Sequence, residues 1–176
     1  MCGSGEFFAA RRLAKALASV INVLDPDVIV LQDSGNEIPN RKQPNWPTYL
    51  HAGDAVFDSW MLNEYQTAIK TLTSGGHAKV VMLTAVCGDW TNYPHWGNDA
   101  TPNQRVRDVN VDYSELTATK YSLQDLNAVL CPNGKYSSTV EGVDNARPDG
   151  YHLSDAAALA VVTKWLGPIL LNEGKS

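Results

Sequence analysis

The sequence is short of basic residues. Its 176 residues include 14 Lys and Arg against 19 Asp and Glu, so the net charge is −5 at pH 7. The pI of the sequence is about 5.2. Surfaces that bind nucleic acids or anionic membranes need a positively charged patch. The charge balance therefore argues against both kinds of partner.

Long apolar runs and a secretion signal are also missing. Although 44% of the residues are hydrophobic, no run reaches the roughly 18 residues of a membrane-spanning helix. The longest apolar region near the N-terminus is interrupted by Asp25, Pro26 and Asp27. We expect no signal peptide, because the first basic residues, Arg11 and Arg12, follow the first apolar residues instead of preceding them.

Cysteine is scarce as well. Cys2, Cys87 and Cys131 form no C-x-x-C pair and no zinc framework. Free thiols are the simplest interpretation. A disulfide between Cys87 and Cys131 requires a fold that brings them together, which their spacing alone does not predict.

What the sequence contains is an alternation of helix and strand patterns. Residues 1–7 are typical of a linker or cloning scar, and residues 8–176 are of a length that suits one domain. Helices are predicted at 8–24, 55–73, 102–118 and 154–170, and strands at 27–31, 79–85 and 121–127. This alternation favours an α/β fold with a parallel sheet and helices on both faces.

Chemistry is expected at the carboxyl edge of that sheet, where parallel sheets bind ligands. Residues 128–153 form one of the loops that leave this edge, and they contain Asp149 and His152. A carboxylate three residues before a histidine can accept a hydrogen bond from its Nδ1–H, which leaves Nε2 free as a general base. The alternative is an Asp that merely precedes a helix, with a His on the surface.

Asn36 is the second candidate, in the loop after the first predicted strand. Its side-chain N–H could serve as one donor of an oxyanion hole. Ser-Gly-Asn is also good turn chemistry, so an ordinary turn is the alternative.

Four stretches carry a family resemblance. They are DPDVIVLQDSGNE, YQTAIKTLTSGGHAKVVMLTA, DLNAVLCPNGKYSSTVEGV and RPDGYHLSDAAALAVVTKWLGPIL. Together, over residues 25–171, they resemble the SGNH (GDSL-like) hydrolase superfamily, and most of all the SGNH domains attached to O-acyltransferases of bacterial surface polysaccharides. Ser34-Gly35-Asn36-Glu37 stands where the family has G-x-N-D, and Asp149 and His152 take the D-x-x-H positions.

The resemblance implies a three-layer, flavodoxin-like parallel sheet and esterase or acyltransferase chemistry by a Ser-His-Asp triad, with no metal or cofactor. His152 would be the base, Asp149 its orienting partner and Asn36 an oxyanion donor. The substrate would be an acyl ester or an acylated sugar. The resemblance also suggests an extracytoplasmic origin.

Two parts of the family pattern are missing from this sequence. The strand that ends in G-D-S with the nucleophile is absent, as is the block that supplies a backbone donor through Gly. The sheet is therefore expected to be truncated to about three strands. Ser34 is a weak candidate nucleophile, because the helix and strand after it resemble those that come after the G-x-N-D block in the family. We expect a weakly active or inactive domain; an unconventional serine, or water activated by the Asp–His pair, is the alternative.

The N-terminal part has a second resemblance. Residues 8–31 are similar to a helix–strand pair near the C-terminus of ROK-type sugar kinases. The two resemblances meet near residues 25–32, so an artificially recombined (de novo) chimera is one hypothesis and a divergent or truncated natural SGNH domain is the other. Without the family's first strand, residues 28–31 would form an exposed edge, which predicts either a homodimer or a rearranged N-terminal helix that covers this edge.

Overall fold

The centre of the molecule is a three-stranded parallel sheet in the order β1-β2-β3. The computed structural model describes residues 10–32, 35, 37–92 and 102–175. The strands are β1 (Val28–Leu31), β2 (Lys79–Leu83) and β3 (Tyr121–Gln124). The helices are α1 (Ala10–Leu24), α2 (Ala55–Leu72), α3 (Pro102–Ser114), α4 (Leu126–Leu130), α5 (Asp155–Val161) and α6 (Gly167–Glu173). A π-helical turn, Val162–Leu166, joins α5 to α6. The predicted α/β class is confirmed.

Helices cover both faces of the sheet. Met82 and Val80 of β2 pack against side chains of α1, α2 and α3. Val81 and Leu83 point to the opposite face and pack against α4, α5 and the segment that leads into α6. Because β2 lies between two strands and two helical layers, its residues after Lys79 form a continuous apolar run, as the sequence predicts.

The predicted end of α3 was wrong. The helix stops at Ser114 and does not continue to 118. The N–H groups of Glu115 and Leu116 bond to the carbonyls of Asp112 and Tyr113, three residues back, a tightening that is common where a helix ends. Leu116 still packs in the core, so the apolar pattern of α3 continues two residues beyond the end of the helix.

The predicted end of β3 was also too late. The strand stops at Gln124, and Asp125 then caps α4, its Oδ1 accepting the N–H of Ala128 at 3.0 Å. The short helix α4 was not predicted. The last helix begins as expected, with Ser154 Oγ accepting the N–H of Ala157 at 3.3 Å. Among the described residues, no helix combines the length and apolarity needed to cross a membrane.

A pair of carboxyl groups joins α2 to α3. Asp112 is only 6% exposed, and burial, together with the neighbouring charge of Asp58, raises its pKa to about 7. Burial also raises the pKa of Asp58, but the N–H of Gly53 donates to Asp58 Oδ1 at 2.9 Å and opposes that rise. Asp58 is therefore the member of the pair that ionises first, and Asp112 keeps its proton longer.

We expect Asp112→Asn to stabilise the protein near pH 8 and to change stability little near pH 4. The pKa of Asp112 is raised from 3.8 to about 7 on folding, so its contribution to stability is present at low pH and is lost as the pH rises through 7. At about pH 8 the amide removes a buried charge, which should raise the free energy of unfolding by on the order of 2 kcal/mol. Urea unfolding at both pH values measures this. The exposed Asp144→Asn is the control, and an equal response of both variants would contradict the assignment.

The strand β1 lies at an edge of the sheet and is paired with β2 on one side. Val30, in the middle of β1, is 38% exposed. This is the position in which the homodimer was predicted to form, and the dimer itself stays a prediction.

We expect the protein to dimerise through residues 28–31 and Val30→Lys to make it monomeric, because a charge on an edge strand opposes strand pairing. Light scattering over a range of protein concentrations measures the mass. Val111→Lys adds the same charge to an exposed valine on α3 and should leave the dimer intact. A wild-type protein that stays monomeric at the highest concentration would exclude this interface.

Candidate active site

The candidate site is built on the turn from Arg147 to His152, just before α5. The N–H of Gly150 donates to the carbonyl of Arg147 at 2.9 Å. Asp149 Oδ1 accepts two main-chain N–H bonds, from Tyr151 at 2.9 Å and from His152 at 2.8 Å. Short-range bonds of this kind are characteristic of Asp in turns. They hold the carboxylate in a fixed orientation.

The structure brings Asp149 and His152 into direct contact. Asp149 Oδ2 lies 2.6 Å from His152 Nδ1. Because a carboxylate can only accept, this bond requires the proton on Nδ1, which leaves Nε2 of the neutral ring without one. The side chains of His152 and Asp149 are 70% and 44% exposed. The pair can therefore take up a proton at Nε2 from a group that approaches from the solvent.

Asn36 and Ser34 lie outside the described residues, so the structure places neither of them relative to His152. Glu37, the last residue of the same motif, is buried. Its Oε1 accepts a bond from Tyr65 Oη at 3.2 Å, and its Oε2 lies 3.3 Å from Arg41 Nη2. Glu37 thus anchors the loop after β1 to α2.

The main chain that leaves β2, residues 84–88, is buried beside the turn. Two asparagines of α3 bond to this main chain through both the oxygen and the nitrogen of their side-chain amides. Asn110 accepts from the N–H of Ala85 at 2.7 Å and donates to its carbonyl at 2.9 Å. Asn103 binds Gly88 in the same way, at 3.0 and 3.1 Å. Sequence reasoning missed both residues, although a spacing of seven puts them on one helix face.

This segment continues directly into the turn. The N–H of Asp89 donates to the carbonyl of Gly150 at 2.9 Å. Gly150 has φ of +88°, and a Cβ there would collide with the Asp89 carbonyl, so the position requires glycine. The ring of Tyr151 lies 5.0 Å from that of Trp90 and 5.1 Å from that of His152.

A disulfide joins Cys87, in the segment after β2, to Cys131 at the end of α4, with a Cα–Cα distance of 6.1 Å. The free-thiol interpretation was therefore wrong for these two residues. The Cys87 carbonyl accepts a bond from Arg147 Nη2. Sequence reasoning also missed Arg147, because nothing in the spacing of a single Arg shows that it is buried.

The fold and the site together define an α/β domain with an Asp–His pair at the carboxyl edge of a parallel sheet. Within the described ranges, no three His, Cys, Asp or Glu side chains converge to hold a metal ion. Comparisons with protein-family models, curated proteins and solved structures find no match to this chain.

We expect reduction of the disulfide to lower the free energy of unfolding by roughly 2–4 kcal/mol, because the crosslink restricts the unfolded chain. The two cysteines are 44 residues apart. Urea unfolding with and without dithiothreitol measures the effect. The double variant Cys87→Ser/Cys131→Ser should match the reduced protein and should not respond to dithiothreitol. Equal stability of the oxidised and reduced protein would contradict the expectation.

Proposed function

We propose that the chain carries the acid–base half of an SGNH-type ester hydrolase or O-acyltransferase site. The observation that supports this is the 2.6 Å bond between Asp149 Oδ2 and His152 Nδ1, in a turn at the carboxyl edge of the sheet. His152 acts as the general base, and Asp149 fixes its tautomer and stabilises the imidazolium that forms.

The proposed reaction is acyl transfer from a small or sugar-linked ester. His152 Nε2 takes the proton of an attacking hydroxyl while its oxygen adds to the ester carbonyl. The tetrahedral species then expels the alcohol, which receives that proton. A serine outside the identified motifs, Ser34 or an activated water supplies the attacking oxygen, and the amide of Asn36 donates to the oxyanion.

The arrangement of strands and helices supports an SGNH-like, flavodoxin-like ancestry. Three parallel strands in sequence order, with helices on both faces, are what remains of such a sheet when its first strands are absent. A recombination joint near residues 25–32 accounts for a helix, α1, where that family has its nucleophile strand. The Cys87–Cys131 disulfide supports an extracytoplasmic origin, because disulfides persist in oxidising compartments.

A non-catalytic folded scaffold is the second candidate. It is favoured by the exposure of His152, whose side chain is 70% accessible, whereas a base that acts in a closed site is shielded from bulk water. Within the described residues, no serine hydroxyl is hydrogen-bonded to Nε2. On this reading, the Asp–His pair is a relic of an ancestral triad.

Labelling with a fluorophosphonate probe, read by intact mass and peptide mapping, distinguishes the enzyme from the non-catalytic scaffold. If a serine supplies the attacking oxygen, one adduct forms on it, and His152→Ala reduces the labelling rate by about a hundredfold or more. His77→Ala is the matched control, because His77 Nε2 lies 2.9 Å from Asp27 Oδ1 at the opposite edge of the sheet. Its labelling should be unchanged.

The position of the adduct decides the nucleophile. An adduct on Ser34 assigns that residue, and an adduct elsewhere assigns an unconventional serine. Well-folded protein that gives no adduct and no ester turnover would contradict the enzymatic proposal and support the scaffold. Turnover without an adduct, lost in His152→Ala, would identify water as the nucleophile.

A further inference from the structure

Arg147 is a buried cation next to the Asp–His pair. It is 1% exposed. Burial lowers the pKa of its guanidinium from the usual value, while the neighbouring tyrosines and Asp149 act in the opposite direction. A buried charge costs several kcal/mol unless its donors are well satisfied. Its hydrogen-bond partners therefore indicate why the fold retains it.

The guanidinium links two separate parts of the site. Its Nε–H donates to the carbonyl of Tyr151 at 3.0 Å, inside the Asp–His turn. Its Nη2–H donates to the carbonyl of Cys87, in the segment after β2. Nη1 lies 3.9 Å from Cys131 Sγ, so the third nitrogen faces the disulfide.

Two tyrosines fix the plane of this group. Its Cζ lies 5.0 Å from the ring centroid of Tyr136 and 5.9 Å from that of Tyr151. Tyr136 Oη also donates to the carbonyl of Arg147 at 3.1 Å, so the main chain is held as well. A lysine would offer a single ammonium and no plane to stack, and it could not reproduce these contacts.

We infer that Arg147 is a positioning residue for the Asp149–His152 pair. By donating to both the Tyr151 carbonyl and the Cys87 carbonyl, it holds the turn in the shape in which Asp149 accepts a hydrogen bond from the Nδ1–H of His152. The disulfide fixes Cys87, whose carbonyl is one of the two that Arg147 joins. Reduction of the disulfide should therefore loosen the turn. The inference rests on the proposed role of the Asp–His pair.

The test reads the His152 ring by ¹⁵N NMR, which distinguishes the Nδ1–H from the Nε2–H tautomer without requiring activity. In the wild type the Nδ1–H form should dominate. Arg147→Met should raise the Nε2–H fraction at least about threefold, and Arg147→Lys should not restore the wild-type value. Arg107→Met is the control, because Arg107 is exposed and bonds to Gln104 on its own helix.

Reduction of the wild type provides a second route if Arg147→Met does not fold. Dithiothreitol passes two electrons and two protons to the disulfide, giving two thiols, and closes to its own cyclic disulfide. The Nε2–H fraction of His152 should then rise above its value in the oxidised protein. An unchanged tautomer fraction in folded Arg147→Met, or on reduction where that variant is unfolded, would overturn the inference.

The labelling experiment tests the esterase proposal independently of the positioning role of Arg147. If neither an adduct nor ester turnover is found but the tautomer of His152 depends on Arg147, the esterase proposal is wrong and the positioning role stands. If an adduct forms and the tautomer does not depend on Arg147, the positioning role is wrong and the esterase proposal stands.

Discussion

The buried main chain that leaves β2 is the constraint on which the rest of the structure depends. The N–H of Thr84 still bonds to the carbonyl of Gln124 at the end of β3. From Ala85 to Gly88 the chain has passed the end of the sheet but remains inside the protein, so its N–H and C=O groups need partners that the strands no longer supply. A buried group left without a partner would cost about 1–3 kcal/mol. The side chains that bond to it are Asn110 and Asn127 at Ala85, Asn103 at Gly88, and Arg147 and Cys131 at Cys87.

The asparagine and arginine partners come from three different elements of the fold. Asn103 and Asn110 belong to α3, Asn127 to α4 and Arg147 to the turn before α5. The hydrogen bonds to this one buried segment thus hold elements from both faces of the sheet at the same edge. The Asp–His turn is one of the elements drawn in, because Arg147 immediately precedes it and Gly150 packs against Asp89.

A short His–Asp distance does not by itself define a site. His77 Nε2 lies 2.9 Å from Asp27 Oδ1, close to the 2.6 Å between His152 and Asp149. The two pairs differ in their position and in their supports. The first lies just before β1 and β2, at the amino edge, whereas the second lies at the carboxyl edge, where parallel sheets bind ligands. Asp149 also accepts two main-chain N–H bonds, which orient it before it meets the imidazole.

Interactions between residues close in the chain were determined by the sequence alone. Periodicity predicted the order of the helices and strands, and the D-x-x-H spacing gave the contact of Asp149 with His152 as one of two alternatives, because both features depend on local backbone geometry. The five-residue helix α4 was too short to show a period. Only the tertiary structure decided the disulfide, the burial of Arg147 and the role of the asparagines. Each of these joins residues distant in the chain, and their distances are set by how helices pack on a sheet, which no local pattern encodes.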